Sequence, residues 1–322
     1  MPCSLADSHL ASTLLAKDLF PRRMKNFGPE RAYPVYEVFR RELWRSFFAV
    51  IDSIRALTPR HTVHHGDITG GCEERGVAHA PTGFSRWGHG RALEVAREAS
   101  AVLDSLPGTT YVSLGNHDTG YGHGEVGGRF EPESLLACRE IYGALWWEFE
   151  EEGVRYIGFC SPLAEASCES EEIIRLQREQ EQFLGDTLQT RQEEWVLMTH
   201  SIFGTRKVWK QLRSHTKRLR HVVCGDLHKP RTGRYLRGVG KSLSHANLAA
   251  LGRPEEDVMF KCMSKVVICP ATAPLGSRGY AYLNIIPGPE ALETIEVDRP
   301  TDYEPLPVQS FWRGALWFFG VG

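Results

Sequence analysis

Five short segments of this 322-residue chain carry the residue types that hold metal ions and move protons: Asp7-Ser8-His9, Gly66-Asp67, Gly115-Asn116-His117-Asp118, Thr199-His200 and Gly225-Asp226-Leu227-His228. Together they offer carboxylates, imidazoles and one carboxamide, and no thiolate. Mixed oxygen and nitrogen donors suit Mn, Fe, Zn or a similar divalent ion; a structural zinc site would recruit cysteine, and a calcium cage would use oxygen alone. Taken singly, an Asp after a strand is usually a turn former and a His usually packs in a core or lies at the surface. The ordered set points to chemistry where no one member does.

Each segment directly follows a short β-type run. Such runs fall at 3–7, 61–65, 110–114, 154–160, 194–199, 221–225, 263–269, 279–286 and 292–297. Helical spacing relates Leu43, Phe47, Phe48, Ile51, Ile54 and Leu57, then Leu93, Ala96, Val102 and Leu103, then Ile173, Ile174, Phe183, Leu184 and Leu188, the last opposite a heavily charged face. Strands alternating with helices predict an α/β layered fold, and the strands from about 263 on, which lack intervening helices, predict an antiparallel portion. A β-rich sandwich flanked by helices satisfies both. Ligands of open α/β sheets collect outside the carboxyl ends of the strands, so segments far apart in the chain can meet at one sheet edge.

In order, Asp-x-His, Gly-Asp, Gly-Asn-His-Asp, a lone His and a terminal Gly-x-x-His, spanning residues 7–228, resemble the signature of the calcineurin-like metallophosphoesterases. Gly-Asn-His-Asp after the apolar run Tyr111-Val112-Ser113-Leu114 is its most specific piece. The resemblance implies a metallophosphoesterase-type β-sandwich with mixed sheets flanked by helices. It also implies a hydrolase of phosphomonoesters or phosphodiesters that uses two divalent ions. Asp7, His9 and His228 would hold the first ion, Asn116, His200 and Asp226 the second, and Asp67 would bridge them. A hydroxide shared by the ions would attack phosphorus. His117 would steady the phosphoryl group and protonate the leaving oxygen, with Asp118 orienting its ring.

One position departs from the pattern: the last motif commonly reads Gly-His-x-His, and this chain has Asp226 where the first histidine would stand. As a ligand, Asp226 would make the site harder and favour Mn or Fe over Zn. As a turn cap, it would leave the second ion weak or absent, and the chain would serve as a phosphoesterase-like scaffold.

Bulk properties frame these readings. With 42% hydrophobic residues the chain can bury a large core. Its organisation reads as one domain over 1–298 with loop insertions at 17–40 and 68–90, followed by a strap and aromatic tail over 299–322. A net charge of −2 gives no overall pull toward nucleic acid or anionic membrane. No apolar run approaches the ~20 residues of a membrane span, and no basic, apolar leader precedes Asp7, so a cytoplasmic enzyme is expected. The eight cysteines form no CxxC pair and read as reduced, buried residues.

Some residues have two readings. The basic run from Arg206 to Arg220 is either a solvated helix face or a surface for a polyanion, the latter making the chain a nucleic-acid phosphodiesterase. Alternation would send one of His64 and His65 inward and the other toward solvent or the site, both as framework. Tyr121 and His123 either touch substrate or pack down.

Overall fold

The structure, a computed structural model, describes residues 2–8, 10, 29–69, 88–119, 130, 132–167, 170–190, 193–227, 230–244, 251–272, 280–285 and 292–297. Two five-stranded sheets form the centre. The first comprises β1 (Cys3–Leu5), β2 (His61–His64), β3 (Thr109–Val112), β9 (Tyr280–Ile285) and β10 (Leu292–Val297), in the order β10-β9-β1-β2-β3. The second runs β4 (Trp147–Glu151), β5 (Val154–Gly158), β6 (Trp195–Thr199), β7 (Leu219–Cys224) and β8 (Val266–Ile268), in sequence order. β1, β2 and β3 are parallel, as are β5 to β8, while β9, β10 and β4 attach antiparallel.

Alternation along the strands sorts side chains into layers. Tyr156, Val196, Met198, Val223 and Val267 of the second sheet share a cluster with Val63 and Tyr111 of the first. Their neighbours Ile157, Leu197, Val222, Cys224, Val266 and Ile268 face the other way. That is the period-two pattern of strands buried on both faces.

Helices cover the outer faces. Over α1 (Pro29–Leu57), Leu43, Phe47, Val50, Ile51 and Ile54 form one buried stripe against Cys3 and Leu5, joined by Val95, Ala99 and Leu103 of α2 (Gly88–Asp104) and by α3 (Pro132–Tyr142). Phe48 and Leu57, expected in that stripe, are exposed instead, because the helix turns them away. Following α4 (Ser161–Glu165), α5 (Glu171–Gln189) buries Leu184 and Leu188 against the second sheet and sends Ile173 and Leu176 to the α1 cluster. Its Gln180 accepts from Cys160 N at 2.9 Å, satisfying backbone at the end of β5.

The second sheet's outer layer is completed by a 3-10 turn (Ile202–Arg206), α6 (Trp209–Leu212), α7 (Pro230–Ser244) and α8 (Pro254–Met263).

Several expectations need correction. Residues 29–40 are helix and not loop, as are 88–90, while 17–28 and 70–87 of the expected insertions lie outside the described residues. β8 is parallel to β7 and is reached through α8, so among the described residues the antiparallel part after 263 is β9 and β10. The basic run is mostly turn with four residues of helix. Within it Val208, Leu212 and Leu219 are core, Arg220 pairs with Glu194 at 2.9 Å, and Arg218 donates to Leu188 O at 3.3 Å. The six cysteines described are buried, and none is bonded to another of them in a disulfide. Cys72, Cys168, Tyr121, His123 and the 299–322 tail lie outside the described residues, and among those described no helix is long and apolar enough to cross a membrane.

Candidate metal centre

Because β1, β2, β3, β6 and β7 run parallel within their sheets, their carboxyl ends deliver Asp7, Asp67, Asn116-His117-Asp118, His200 and Asp226. Asp7, Asp67 and Asp226 leave their strands in the same way, each with left-handed backbone (φ 52°, 52° and 55°). Asp tolerates that region better than most residues, and the sharp turn keeps the carboxylate at the strand end. At the β2 end the preceding Gly66 also has positive φ, +87°. A Cβ on Gly115 would collide with Oδ1 and the backbone N of Asp67, so only glycine lets the β2 and β3 loops approach this closely.

Asp7, Asp67 and His200, all buried, each present one donor atom within 4.8 Å of the others. His200 Nε2 lies 2.8 Å from Asn116 Oδ1, 3.4 Å from Asp67 Oδ2 and 4.0 Å from Asp226 Oδ1. Its Nδ1 donates to the carbonyl of His65 at 2.7 Å, which aims Nε2 at this cluster of oxygens. Asp67 Oδ1 accepts from His117 N at 2.9 Å, and its Oδ2 lies 3.7 Å from His117 Nε2. Asp226 N donates to Asp7 Oδ1 at 3.2 Å.

Asp118 serves the loops: its carboxylate accepts from Gly115 N at 2.9 Å, from Thr69 N and Oγ1 at 3.0 Å and from Ile68 N at 3.4 Å. These bonds lace the β2 and β3 loops together. His9 and His228 lie outside the described residues.

The electrostatics demand positive charge. Burial raises the pKa of Asp67, and nearby Asp7 adds to the rise while His200 opposes it. Burial disfavours a charged His200, yet Asp67, Asp226 and Asp7 outweigh it and hold the imidazole well above its ordinary range. Asp118 is pushed up to about 6 by burial and by the charge of Asp67. Buried carboxylates this close are costly unless a cation lies among them. The donor set, two carboxylates and an imidazole with a carboxamide and a third carboxylate alongside, fits a divalent ion that accepts both oxygen and nitrogen.

His64 and His65, just before Gly66-Asp67, are both buried, and neither reaches solvent. His65 Nδ1 meets Thr199 O at 3.2 Å and Nε2 meets Ser4 Oγ at 3.1 Å. His64 Nε2 meets Ser8 Oγ at 2.9 Å, and Gly66 N donates to its Nδ1 at 3.1 Å. These contacts were not foreseen from the sequence, where the only sign was two imidazoles directly before a Gly-Asp pair.

By sequence, the chain matches no family model and no curated protein. By structure, it aligns with a dimetal phosphatase from Danio rerio over 92% of this chain and 98% of that one, at 14% identity and a TM-score of 0.45. It also aligns with the anchor in the inner membrane complex of Plasmodium over 70% and 64%, at 11% identity and a TM-score of 0.33. At these TM-scores neither likeness carries an argument, and the centre stands on its own geometry.

Proposed function

We propose that the chain is a dinuclear metal-dependent phosphoesterase, a hydrolase of phosphomonoesters or phosphodiesters. The observation that carries the reading is the buried convergence of Asp7, Asp67 and His200 within 4.8 Å at the carboxyl ends of strands from two sheets. Apolar side chains shared between those sheets support a phosphoesterase-type β-sandwich flanked by helices.

In this reading His200, Asn116 and Asp226 would hold one ion and Asp7, His9 and His228 the other, with Asp67 shared between them. When bound, the ions would neutralise charge at phosphorus and make the attacking water more acidic. Water adds to phosphorus and gives up a proton to solvent, the ester P–O bond breaks, and the leaving oxygen takes a proton from His117, which solvent then restores. The His117 main chain donates to Asp67 Oδ1, and the ring's Nε2 lies 3.7 Å from Asp67 Oδ2. Asp118 holds the loop that carries Asn116 and His117. Mn or Fe suits the added carboxylate of Asp226 better than Zn.

Metal analysis of the purified chain, combined with hydrolysis of nitrophenyl phosphate and bis-nitrophenyl phosphate with added Mn²⁺, tests the proposal. Two divalent ions per chain and chelator-sensitive turnover are expected, with Asp67→Asn losing both. Ion saturation at about 100 times Kd should add about 2.7 kcal/mol of stability, visible as a raised Tm in the wild type and absent in Asp67→Asn. A wild-type chain that binds no ions and gains no stability from Mn²⁺ would overturn it.

A further inference from the structure

We propose that His64 and His65 are positioning residues: a pair of adjacent buried imidazoles that brace the ligand-bearing strand ends of both sheets and so set the geometry of the metal centre. The inference rests on the metal-centre reading above.

Neighbouring groups fix the hydrogen-bonding role of each ring nitrogen. Thr199 O can only accept, so His65 Nδ1 donates to it, and the neutral ring then accepts from the Ser4 hydroxyl at Nε2. Gly66 N can only donate, so His64 Nδ1 accepts and Nε2–H donates to Ser8 Oγ. Neighbouring histidines thus hold opposite tautomers.

The partners of each ring sit next to proposed ligands. Ser8 directly follows Asp7, and Thr199 directly precedes His200. His65 also uses its own carbonyl to accept from His200 Nδ1 at 2.7 Å. A single residue therefore ties Ser4 on β1 in the first sheet, Thr199 on β6 in the second, and the His200 ring. His64 ties the loop after β1 to the turn that carries Asp67, where Asp7 N also donates to Gly66 O at 3.0 Å. Apolar packing fixes the spacing of two sheets loosely compared with a hydrogen-bonded strut, and ligands of a shared centre tolerate little error. Polar groups buried this deeply are costly to retain, and these four are paired with one another at the place where the sheets meet beneath the ligands.

The test uses the full chain, stripped of metal and then titrated with Mn²⁺ against a chromophoric chelator, with electron paramagnetic resonance reporting whether two ions are exchange-coupled. His65→Phe, His64→Phe, Ser4→Ala and Ser8→Ala are compared with wild type, alongside the Tm of each metal-free protein. The variants are expected to lose about 10- to 100-fold in Mn²⁺ affinity and to convert the coupled signal into that of isolated ions. His65→Asn, which keeps an N–H where Nδ1 stood but gives up the bond to Ser4, should behave like Ser4→Ala and retain more affinity than His65→Phe, as a purely space-filling role would not require. The serine variants remove one hydroxyl each and keep the experiment decisive where the bulkier changes fail to fold. Wild-type affinity and coupling in Ser4→Ala and Ser8→Ala would overturn the inference while leaving the metal centre intact. Absence of Mn²⁺ binding by the wild type would overturn the metal-centre reading itself.

Discussion

The backbone N–H of Asp226, at the end of β7 in the second sheet, donates to Oδ1 of Asp7, at the end of β1 in the first, at 3.2 Å. Both residues have left-handed backbone, and both carboxylates raise the pKa of the His200 imidazole. The two sheets therefore meet at a pair of acids, and the site gains a negative charge at the position where the resembling family usually has a histidine.

In the proposed metal centre that charge would set metal preference. Asp226→His replaces a hard oxygen donor by a borderline nitrogen and should move selectivity from Mn²⁺ toward Zn²⁺, while Asp226→Asn should weaken both. Competition titrations with the two ions measure the ratio directly. An unchanged ratio in Asp226→His would place this side chain outside the coordination sphere.

For His117, assistance to the leaving group has a kinetic signature that binding lacks. Its Nε2 lies 3.7 Å from Asp67 Oδ2, beside the carboxylate proposed to bridge the ions yet not part of the cluster of donors. His117→Ala should keep its metal ions. Its turnover should fall about 10²- to 10⁴-fold on an alkyl phosphate ester, whose alkoxide needs a proton, and much less on a nitrophenyl ester, whose leaving group does not. Equal losses on both would assign the ring to binding.

Much of this architecture was legible in the sequence, and the gaps have physical reasons. Nine described strands coincide with the expected β-type runs because their apolar residues are continuous or alternating. β4 escaped notice: Trp147 and Phe149 are buried while Glu148 and Glu150 point to solvent, an alternation obscured by the density of Glu. The start of α1 was hidden by the Pro and Arg residues among 29–40, which read as loop formers. For the site, spacing named Asp7, Asp67 and His200, because parallel strands bring whatever follows them to one edge. It could not name Ser4, Ser8 or Thr199, whose contribution depends on which way an imidazole one residue away happens to face.

A different histidine makes stability depend on pH. His61, at the start of β2, stacks on Phe149 with centroids 4.2 Å apart, and its buried Nδ1 finds no partner among the described residues. Burial lowers its pKa below the ordinary 6.5, with Glu151 partly opposing. The unfolded chain therefore binds this proton first, so the contribution of His61 to stability is complete above about pH 6.5 and declines as the pH falls through and below that value. His61→Phe removes the titration and keeps the stack. Urea unfolding at about pH 8 and about pH 5.5 should show the variant gaining on wild type at the lower pH. A constant gap would mean the ring is protonated as easily folded as unfolded.

Two glycines should respond to alanine with opposite signs. In α5, Gly185 has open space around the position of a Cβ, so Gly185→Ala should stabilise by about 0.5–1 kcal/mol through reduced backbone freedom in the unfolded chain. At Gly115 the new methyl would strike Oδ1 and the backbone N of Asp67, a residue already pinned by its left-handed backbone and by His117 N. Overpacking of that kind costs about 1–3 kcal/mol. Relief requires the β2 and β3 loops to part, which displaces the carboxylate proposed to bridge the ions, so Gly115→Ala should lose Mn²⁺ affinity even where thermal melts show that it still folds. Retention of wild-type Mn²⁺ affinity by a folded Gly115→Ala would show that Asp67 can shift without cost to the centre, and would remove it from the bridging position.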